Sequence, residues 1–484
     1  MRWRWHLWGD DRVLRSQGSL RLPMSRSNTT LPDSTRGGLV EGEERLCLVL
    51  IAYSADPSKV GEVAFLDLSR EVLGRDGTLR WGRHLPGAFG RTGHLDDPKL
   101  SREQWRFSAL GDDRWELENV GRLPLFLNRR RVDGCELRGG DILQAGRRVA
   151  VLVQRRPEAR PVLANGAPRF GEPDEMGMVG EGPASWALRR QVAFLSTRPE
   201  HVLILGESGV GKELVANGLY RASSADGPWV SRSAATIPDS LADAELFGNL
   251  KNYPNPGMPA RPGLVGQADG GVLFLDELGE LPVPTQARLL RLLDAGEYNR
   301  LGEATSRRAS LRMLAATNRG VAELKHDLVA RFPHRVTVPG LHQRREDIPL
   351  LIRACIDTMA QQGALHPFER SGVTVDIDLQ VALVSHAYET HVRELAALLW
   401  HAFGQTQDGV LRLWAGFPAC TPSGAEPESD RHPRHRDPEE LSDEDIIAAL
   451  ERNEGKRSPT WQELGLSSRH VLARLLKKRG LEGH

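Results

Sequence analysis

The stretch His201–Glu213, HVLILGESGVGKE, decides the fold. Val202, Leu203, Ile204 and Leu205 read as a short strand that is apolar on both faces, and the residues after Lys212, ELVANGLY, have helical spacing. The order is therefore strand, loop, helix. Gly206, Gly209 and Gly211 give the loop backbone conformations closed to other residues, so that successive N–H groups and the helix N-terminus can surround a phosphate. The cradle so formed consists of Gly206, Glu207, Ser208, Gly209, Val210, Gly211, Lys212 and Glu213, with Lys212 reaching the outer phosphates of a nucleotide. Glu213 stands where the usual form of this loop has a Ser or Thr whose hydroxyl binds Mg²⁺.

A second apolar strand reinforces the reading. In GGVLFLDELGEL, which starts at Gly270, Val272 to Leu275 run into the adjacent carboxylates Asp276 and Glu277. A carboxylate at the tip of a strand beside a phosphate loop is where Mg²⁺ is held, so Asp276 is the candidate metal ligand. Its neighbour Glu277 is placed to orient an attacking water.

At 484 residues the chain has room for about three domains. Lys plus Arg equals Asp plus Glu at 64 each, so no global field draws the molecule to nucleic acid or membrane, and any basic surface must be local. Cys47, Cys135, Cys355 and Cys420 lack CxxC spacing, which argues against a disulfide framework or zinc site and fits a reducing cytoplasm. No apolar run reaches membrane-spanning length.

Composition divides the chain. Residues 1–43 are rich in Arg, Ser, Thr and Gly without a sustained period and read as disordered, with Met24 an alternative start. Residues 44–154 consist of short apolar runs separated by turn residues, the pattern of a β-sandwich. Residues 155–178, with four prolines among charges, read as a linker. From 179 to 415 strand and helix patterns alternate, as in an α/β domain with a trailing helical part. A second charged linker spans 416–440. In 441–484, Ser442 caps a helix over Asp443–Arg452, Trp461 and Leu464 mark a second helix, and Val471, Leu472 and Leu475 form the inner face of a third, which is helix-turn-helix spacing. From Lys456 onward there are seven Lys or Arg against two Glu, a patch suited to DNA phosphates.

Within the sandwich, Leu73-Gly74-Arg75, Ser101-Arg102, Asn128 and Gly140-Asp141 resemble the ordered landmarks of a forkhead-associated (FHA) domain. The resemblance implies that Arg75, Ser101 and Arg102 contact the phosphate of a phosphothreonine in a partner protein. Gln104 and Arg122-Leu123-Pro124-Leu125 depart from the family pattern, so a sandwich kept only for protein contacts is an open alternative.

The segment from about 179 onward is similar to the AAA+ ATPase domain of sigma-54-dependent bacterial transcription activators, through GESGVGKE, AELFG (244–248), QADGGVLFLDEL, LRMLAATNR (311–319), QRREDIPLL (343–351) and HVREL (391–395). That likeness implies an α/β P-loop AAA+ domain with a helical subdomain; with the FHA-like β-sandwich before it and the all-α helix-turn-helix after it, it sets the expected fold. It implies Asn318 as sensor I, Arg331 as an arginine finger acting on a neighbouring subunit's nucleotide, Lys325 at a second finger position and Arg393 as sensor II. A finger acting in trans implies a homo-oligomeric ring. The C-terminal segment resembles the Fis-type DNA-binding end of the same family, with Ser468, Arg469, His470 and Arg474 on the recognition helix.

Two departures bear on function. Ser233 stands where the family has an asparagine that restrains the catalytic glutamate, which leaves the control of hydrolysis in doubt. The family's Gly-Ala-Phe-Thr-Gly-Ala tip, which engages sigma-54, is replaced after Lys251 by NYPNPGMPARP. Four prolines between 254 and 262 suggest a stiff, extended projection unable to switch, and hence weak ATP hydrolysis and no direct isomerisation of a sigma-54 promoter complex. A DNA-binding protein using ATP as a structural ligand, or a partner subunit that modulates another activator, is the alternative.

Overall fold

The computed structural model describes residues 44–85, 88–111, 114–158, 163, 168–223, 227–320, 323–362, 372–418, 441–453, 460–461, 463–464, 466 and 469–481. The expected disordered segment 1–43 and residues 419–440 of the second linker lie outside them.

The N-terminal part is a two-sheet sandwich of twelve strands: β1 (Glu44–Tyr53), β2 (Val63–Phe65), β3 (Arg70–Leu73), β4 (Trp81–Leu85), β5 (Ala88–Gly93), β6 (Trp105–Gly111), β7 (Arg114–Asn119), β8 (Leu125–Leu127), β9 (Arg130–Val132), β10 (Gly134–Glu136), β11 (Ile142–Ala145) and β12 (Val149–Pro157). One sheet runs β5-β4-β2-β1-β12-β11-β8-β9 and the other β10-β7-β6-β3. Between them lie Leu46, Leu48, Leu50, Trp81, Trp105, Phe107, Val151 and Val153, the alternate positions of each strand.

After α1 (Pro183–Ser196), five parallel strands make the second sheet: β13 (Val202–Leu205), β14 (Trp229–Ser233), β15 (Val272–Asp276), β18 (Arg312–Thr317) and β19 (His334–Thr337), in the order β14-β15-β18-β13-β19. The two-residue strands β16 (Glu297–Tyr298) and β17 (Arg307–Arg308) form a separate hairpin. Helices α2 (Lys212–Arg221), α3 (Ala242–Phe247), α4 (Gly263–Gln267), α5 (Val283–Ala295) and α6 (His326–Val329) connect these strands. All four residues 202–204 and 272 are fully buried, as a parallel strand covered on both faces requires. A helical lid follows, made of α7 (Ile348–Gln361), α8 (Ile377–Ser385) and α9 (His391–Gln405).

Sandwich and lid share a core. Cys47, Val49, Ile51, Val63, Phe65, Ile142, Ala150 and Leu152, on the outer face of the larger sheet, pack with Leu350, Leu351, Val381 and Leu383 of the lid in one buried cluster. Arg147 pairs with Asp378 at 2.9 Å, Gln144 donates to the same carboxylate at 3.0 Å, and Arg353 donates to the Pro57 carbonyl at 2.8 Å.

The described part of the first linker is packed as well. Asp174 accepts from the Met176 and Met178 N–H groups and pairs with Arg189 of α1 at 2.7 Å, while Met178 is 5 % exposed.

The proline-rich segment differs from the extended projection expected of it. It is a closed loop, because buried Asn249 pairs with Arg261 across its base and its amide donates to the carbonyls of Leu250, Tyr253 and Pro259. At the tip the Asn252 N–H donates to Met258 O at 2.8 Å and the Asn252 side chain accepts from Gly257 N–H at 3.0 Å. The two asparagines before the prolines thus satisfy backbone groups of the loop, and the loop folds on itself.

At the C-terminus, α10 (Asp443–Arg452) begins at Ser442, whose hydroxyl accepts from Asp445 N–H at 3.1 Å, and α11 (Arg469–Arg479) follows. Ile446, Leu450, Leu464, Leu466, Leu472 and Leu476 close a small separate core.

Candidate nucleotide site

The site lies at the C-terminal edge of the parallel sheet, where such folds bind ligands. Leu205 is level with Thr317 in the register, and Leu275 with Ala315. The glycine loop after β13, the Asp276-Glu277 pair ending β15 and Asn318 following β18 therefore emerge on one edge. Gly209 and Gly211 have φ of 81° and 106°, and a Cβ on Gly209 would lie 2.1 Å from the Thr390 carbonyl, so both left-handed geometry and space demand glycine there.

Lys212 is largely buried and donates to the Gly206 and Glu207 carbonyls at 2.8 and 2.9 Å. Its ammonium is held below the usual lysine range by burial, with Asp276 and Glu277 acting in the opposite sense. Burial raises the Asp276 carboxyl above its ordinary value, against the pull of Lys212. Glu213 is also raised, by burial and then by Asp276. These mutual influences put Lys212, Glu213, Asp276, Glu277 and Arg393 within electrostatic reach of one another, and the carboxylates of Asp276 and Glu213 are the oxygens suited to a hard cation such as Mg²⁺.

Glu277 has a left-handed backbone, φ 56°, and its carboxylate accepts from the Ser233 hydroxyl at 2.8 Å. The serine at 233 therefore places a hydrogen-bond donor on the glutamate. Ser233 reaches it because β14 and β15 pair in parallel with Ser233 opposite Asp276.

The lid closes on the loop through three consecutive residues. His391 faces Glu207 with Nε2 2.5 Å from the carboxylate, the Val392 N–H donates to Gly209 O at 3.2 Å, and Arg393 donates to the Ser208 hydroxyl at 3.2 Å. Arg331 is half exposed and forms an ion pair with Asp294 at the end of α5. Asn318 is exposed directly after β18.

The remaining sites are held elsewhere. Arg75, Ser101 and Arg102 come together because Arg75 N–H donates to Ser101 O and Asp76 N–H to Arg102 O, at 3.0 and 3.1 Å. Asp76 lies between the two guanidinium groups, 3.9 Å from Arg75 and 3.6 Å from Arg102, and the Ser101 hydroxyl accepts from Arg122 N–H at 2.9 Å. Arg469 and His470 open α11, but their side chains and all of Ser468 lie outside the described residues. Arg474 is exposed on that helix, 3.5 Å from Asp133 of the sandwich.

Sequence reasoning missed Asp76 and Asp294, since an isolated acid carries no spacing signal, and gave His391 no role although it opens HVREL. Among the described residues, no helix is long and apolar enough to cross a membrane.

A glycine phosphate loop, an acid pair on a neighbouring strand and a helical lid over both define a nucleotide-binding domain of the AAA+ class. The Sigma-54 interaction domain family matches residues 178–336. The nitric oxide reductase transcription regulator NorR of Salmonella heidelberg is 35 % identical over 357 residues, covering 68 % of this chain and 69 % of that protein. The DNA-binding transcriptional regulator NtrC of Salmonella typhimurium is 33 % identical over 341 residues, covering 63 % and 70 %. NorR of Aeromonas hydrophila is 39 % identical over 222 residues, 44 % of this chain and 43 % of that one. The crystal structure of NtrX from Brucella abortus in complex with ATP aligns with a TM-score of 0.45 at 29 % identity, covering 63 % of this chain and 69 % of that one. The chain belongs to the family of sigma-54-dependent transcription regulators.

Proposed function

We propose that this chain is an ATP- and Mg²⁺-binding, DNA-binding regulator of sigma-54 transcription whose direct remodelling of the polymerase complex is impaired. The observation that carries the second half is the closed loop at 249–261: Asn249 and Asn252 staple it on itself, and no Phe-Thr pair is present to press on sigma-54. In this reading Lys212 and the loop amides hold the phosphates, Asp276 with Glu213 holds Mg²⁺, and Glu277 orients water under restraint by Ser233. Arg331 leaves Asp294 to act on a neighbouring subunit in a homo-oligomeric ring, and Asn318 and Arg393 report the nucleotide state. The sandwich is an FHA-like input domain for a phosphorylated partner, and the C-terminal helices are a Fis-type helix-turn-helix that binds DNA through Arg469, His470 and Arg474.

Purified protein on a sigma-54 promoter carrying its binding site should bind ATP yet give no ATP-dependent open complex alone. Open-complex formation without a second activator would overturn the proposal. Lys212→Ala should abolish nucleotide binding, whereas Glu277→Gln should retain binding and lose whatever turnover the wild type has. Equal loss of binding in both would remove Glu277 from its role.

A further inference from the structure

Glu207, His342 and His391 bring a carboxylate and two imidazoles close enough to suggest a metal centre, all three ligand atoms lying within 4.8 Å of one another. The hydrogen bonds at His391 give the cluster a different chemistry. Leu341 N–H donates to Nδ1 of His391 at 3.2 Å, so that nitrogen carries a lone pair and the proton of the neutral ring sits on Nε2. Nε2 then donates to Glu207 at 2.5 Å. A histidine that binds metal through one nitrogen ordinarily donates a proton from the other. Here the other nitrogen faces a donor, so metal on Nε2 would require an imidazolate.

We infer that His391 is a positioning residue: a buried hydrogen-bonded clasp that fixes the lid to the phosphate loop and holds Arg393 over the phosphate site. Its ring is fully buried, and its backbone is left-handed at φ 48°, a conformation a non-glycine residue keeps only where the surroundings hold it. The clasp is in register with its neighbours, since residues 391, 392 and 393 bond to 207, 209 and 208. The His342 ring lies 5.8 Å from that of His391 and walls the clasp on the side of Gly340, where a Cβ would meet both rings at 2.7–2.8 Å. Because the clasp forms between protein groups alone, it brings the lid to the loop before nucleotide arrives. Nucleotide then meets a prepositioned Arg393 and leaves slowly.

The inference rests on the nucleotide-site reading, and two readouts keep the two apart. In nucleotide-free full-length protein, amide hydrogen exchange of segments 206–212 and 388–395 should quicken in His391→Ala and in Glu207→Ala. It should return toward wild type in His391→Gln, whose side-chain amide can still donate to Glu207. Release of a fluorescent ADP should accelerate about tenfold or more in His391→Ala, the effect of one hydrogen bond to a charged partner. The double variant His391→Ala/Glu207→Ala should release ADP no faster than either single variant, a coupling that general loss of stability would not produce. Unchanged exchange, or additive effects on release, overturns the clasp. Wild-type protein that binds no ADP, with exchange altered as described, leaves the clasp standing and removes the nucleotide reading. Zinc that stabilises wild type at stoichiometric concentration, and none of His342→Ala, His391→Ala or Glu207→Ala, would show a metal centre in its place.

Discussion

Asp276 is held as a reluctant acid. Burial favours its neutral form, and Lys212, then the Glu277 N–H and Arg393, oppose that. A protonated carboxyl is a poor cation ligand, so in the proposed Mg²⁺-binding role protons would compete with the cation at a pH above the ordinary carboxylate range. Mg²⁺-dependent enhancement of nucleotide binding should therefore fade on acidification earlier than for a solvent-exposed carboxylate, and Asp276→Asn should abolish both the enhancement and its pH dependence; calorimetric titrations of ADP with and without Mg²⁺ between pH 7.5 and 5 test this. Glu346 presents the same physics in a structural role. Buried beside Asp347, with Gln154 at 3.5 Å, it is pushed up to about 7. An acid whose folded value is raised binds its proton more tightly when folded, so its contribution is fully present below its unfolded value and is lost as pH rises through about 7. Glu346→Gln should accordingly raise Tm at pH 8 and leave it nearly unchanged at pH 5, and an equal shift at both would contradict this. Asp76 lies between the two arginines of the proposed phosphopeptide site, so Asp76→Asn should tighten phosphothreonine-peptide binding several-fold, a modest effect because the three side chains face solvent. No such tightening would place the peptide elsewhere.

Elements with a strong local signal were legible in the sequence. The strand at 202–205, the helix after Lys212, the strand ending at Asp276 and the helix Asp443–Arg452 with its Ser442 cap all lie where periodicity put them, because burial on both faces or a capping hydroxyl is written into consecutive residues. The proline-rich loop was misjudged for a physical reason. Counting prolines measures the stiffness of single residues, whereas the path of the loop is set by Asn249 and Asn252, whose amides bond to groups four to ten residues away. Asn249 donates to three carbonyls from a fully buried position. Asn249→Ala leaves those acceptors without their donor and should cost about 1–3 kcal/mol. Its effect should appear first as proteolytic nicking between 250 and 261, a region exposed along nearly its whole length. Equal nicking of the variant and the wild type would show that the asparagine does not hold the loop. The Ser233–Glu277 bond was equally out of reach of spacing, since it depends on the parallel register of two strands 44 residues apart.

At the scale of the whole molecule, the continuous apolar run LCLVLIAY of β1 takes on a meaning that an ordinary sandwich does not supply. An antiparallel sheet with one solvated face alternates apolar and polar residues. In β1, Leu46, Leu48 and Leu50 serve the sandwich core, and Cys47, Val49 and Ile51 serve a second core against the lid. The apolar run was visible, but what lay on its second face was not, because the partner residues Leu350 and Val381 come some 300 positions later. Sandwich and lid consequently form one body, and the lid is in turn bonded to the phosphate loop through residues 391–393. If a ligand of the sandwich shifts the lid, linkage requires that nucleotide held under the lid change that ligand's affinity by the same factor. The shared core also predicts how the chain unfolds. Leu350 is fully buried against Gly61 of the sandwich, 3.0 Å from where a Cβ there would lie. In scanning calorimetry, wild-type sandwich and lid should melt in a single transition. Leu350→Asp, which places a charge in that apolar interface at a cost of several kcal/mol, should lower that transition and split it into two. The sandwich component, with its own core between the sheets intact, should be the one that survives to higher temperature. Two transitions in the wild type, or a variant that melts as the wild type does, would show that the two parts are neighbours without a common core.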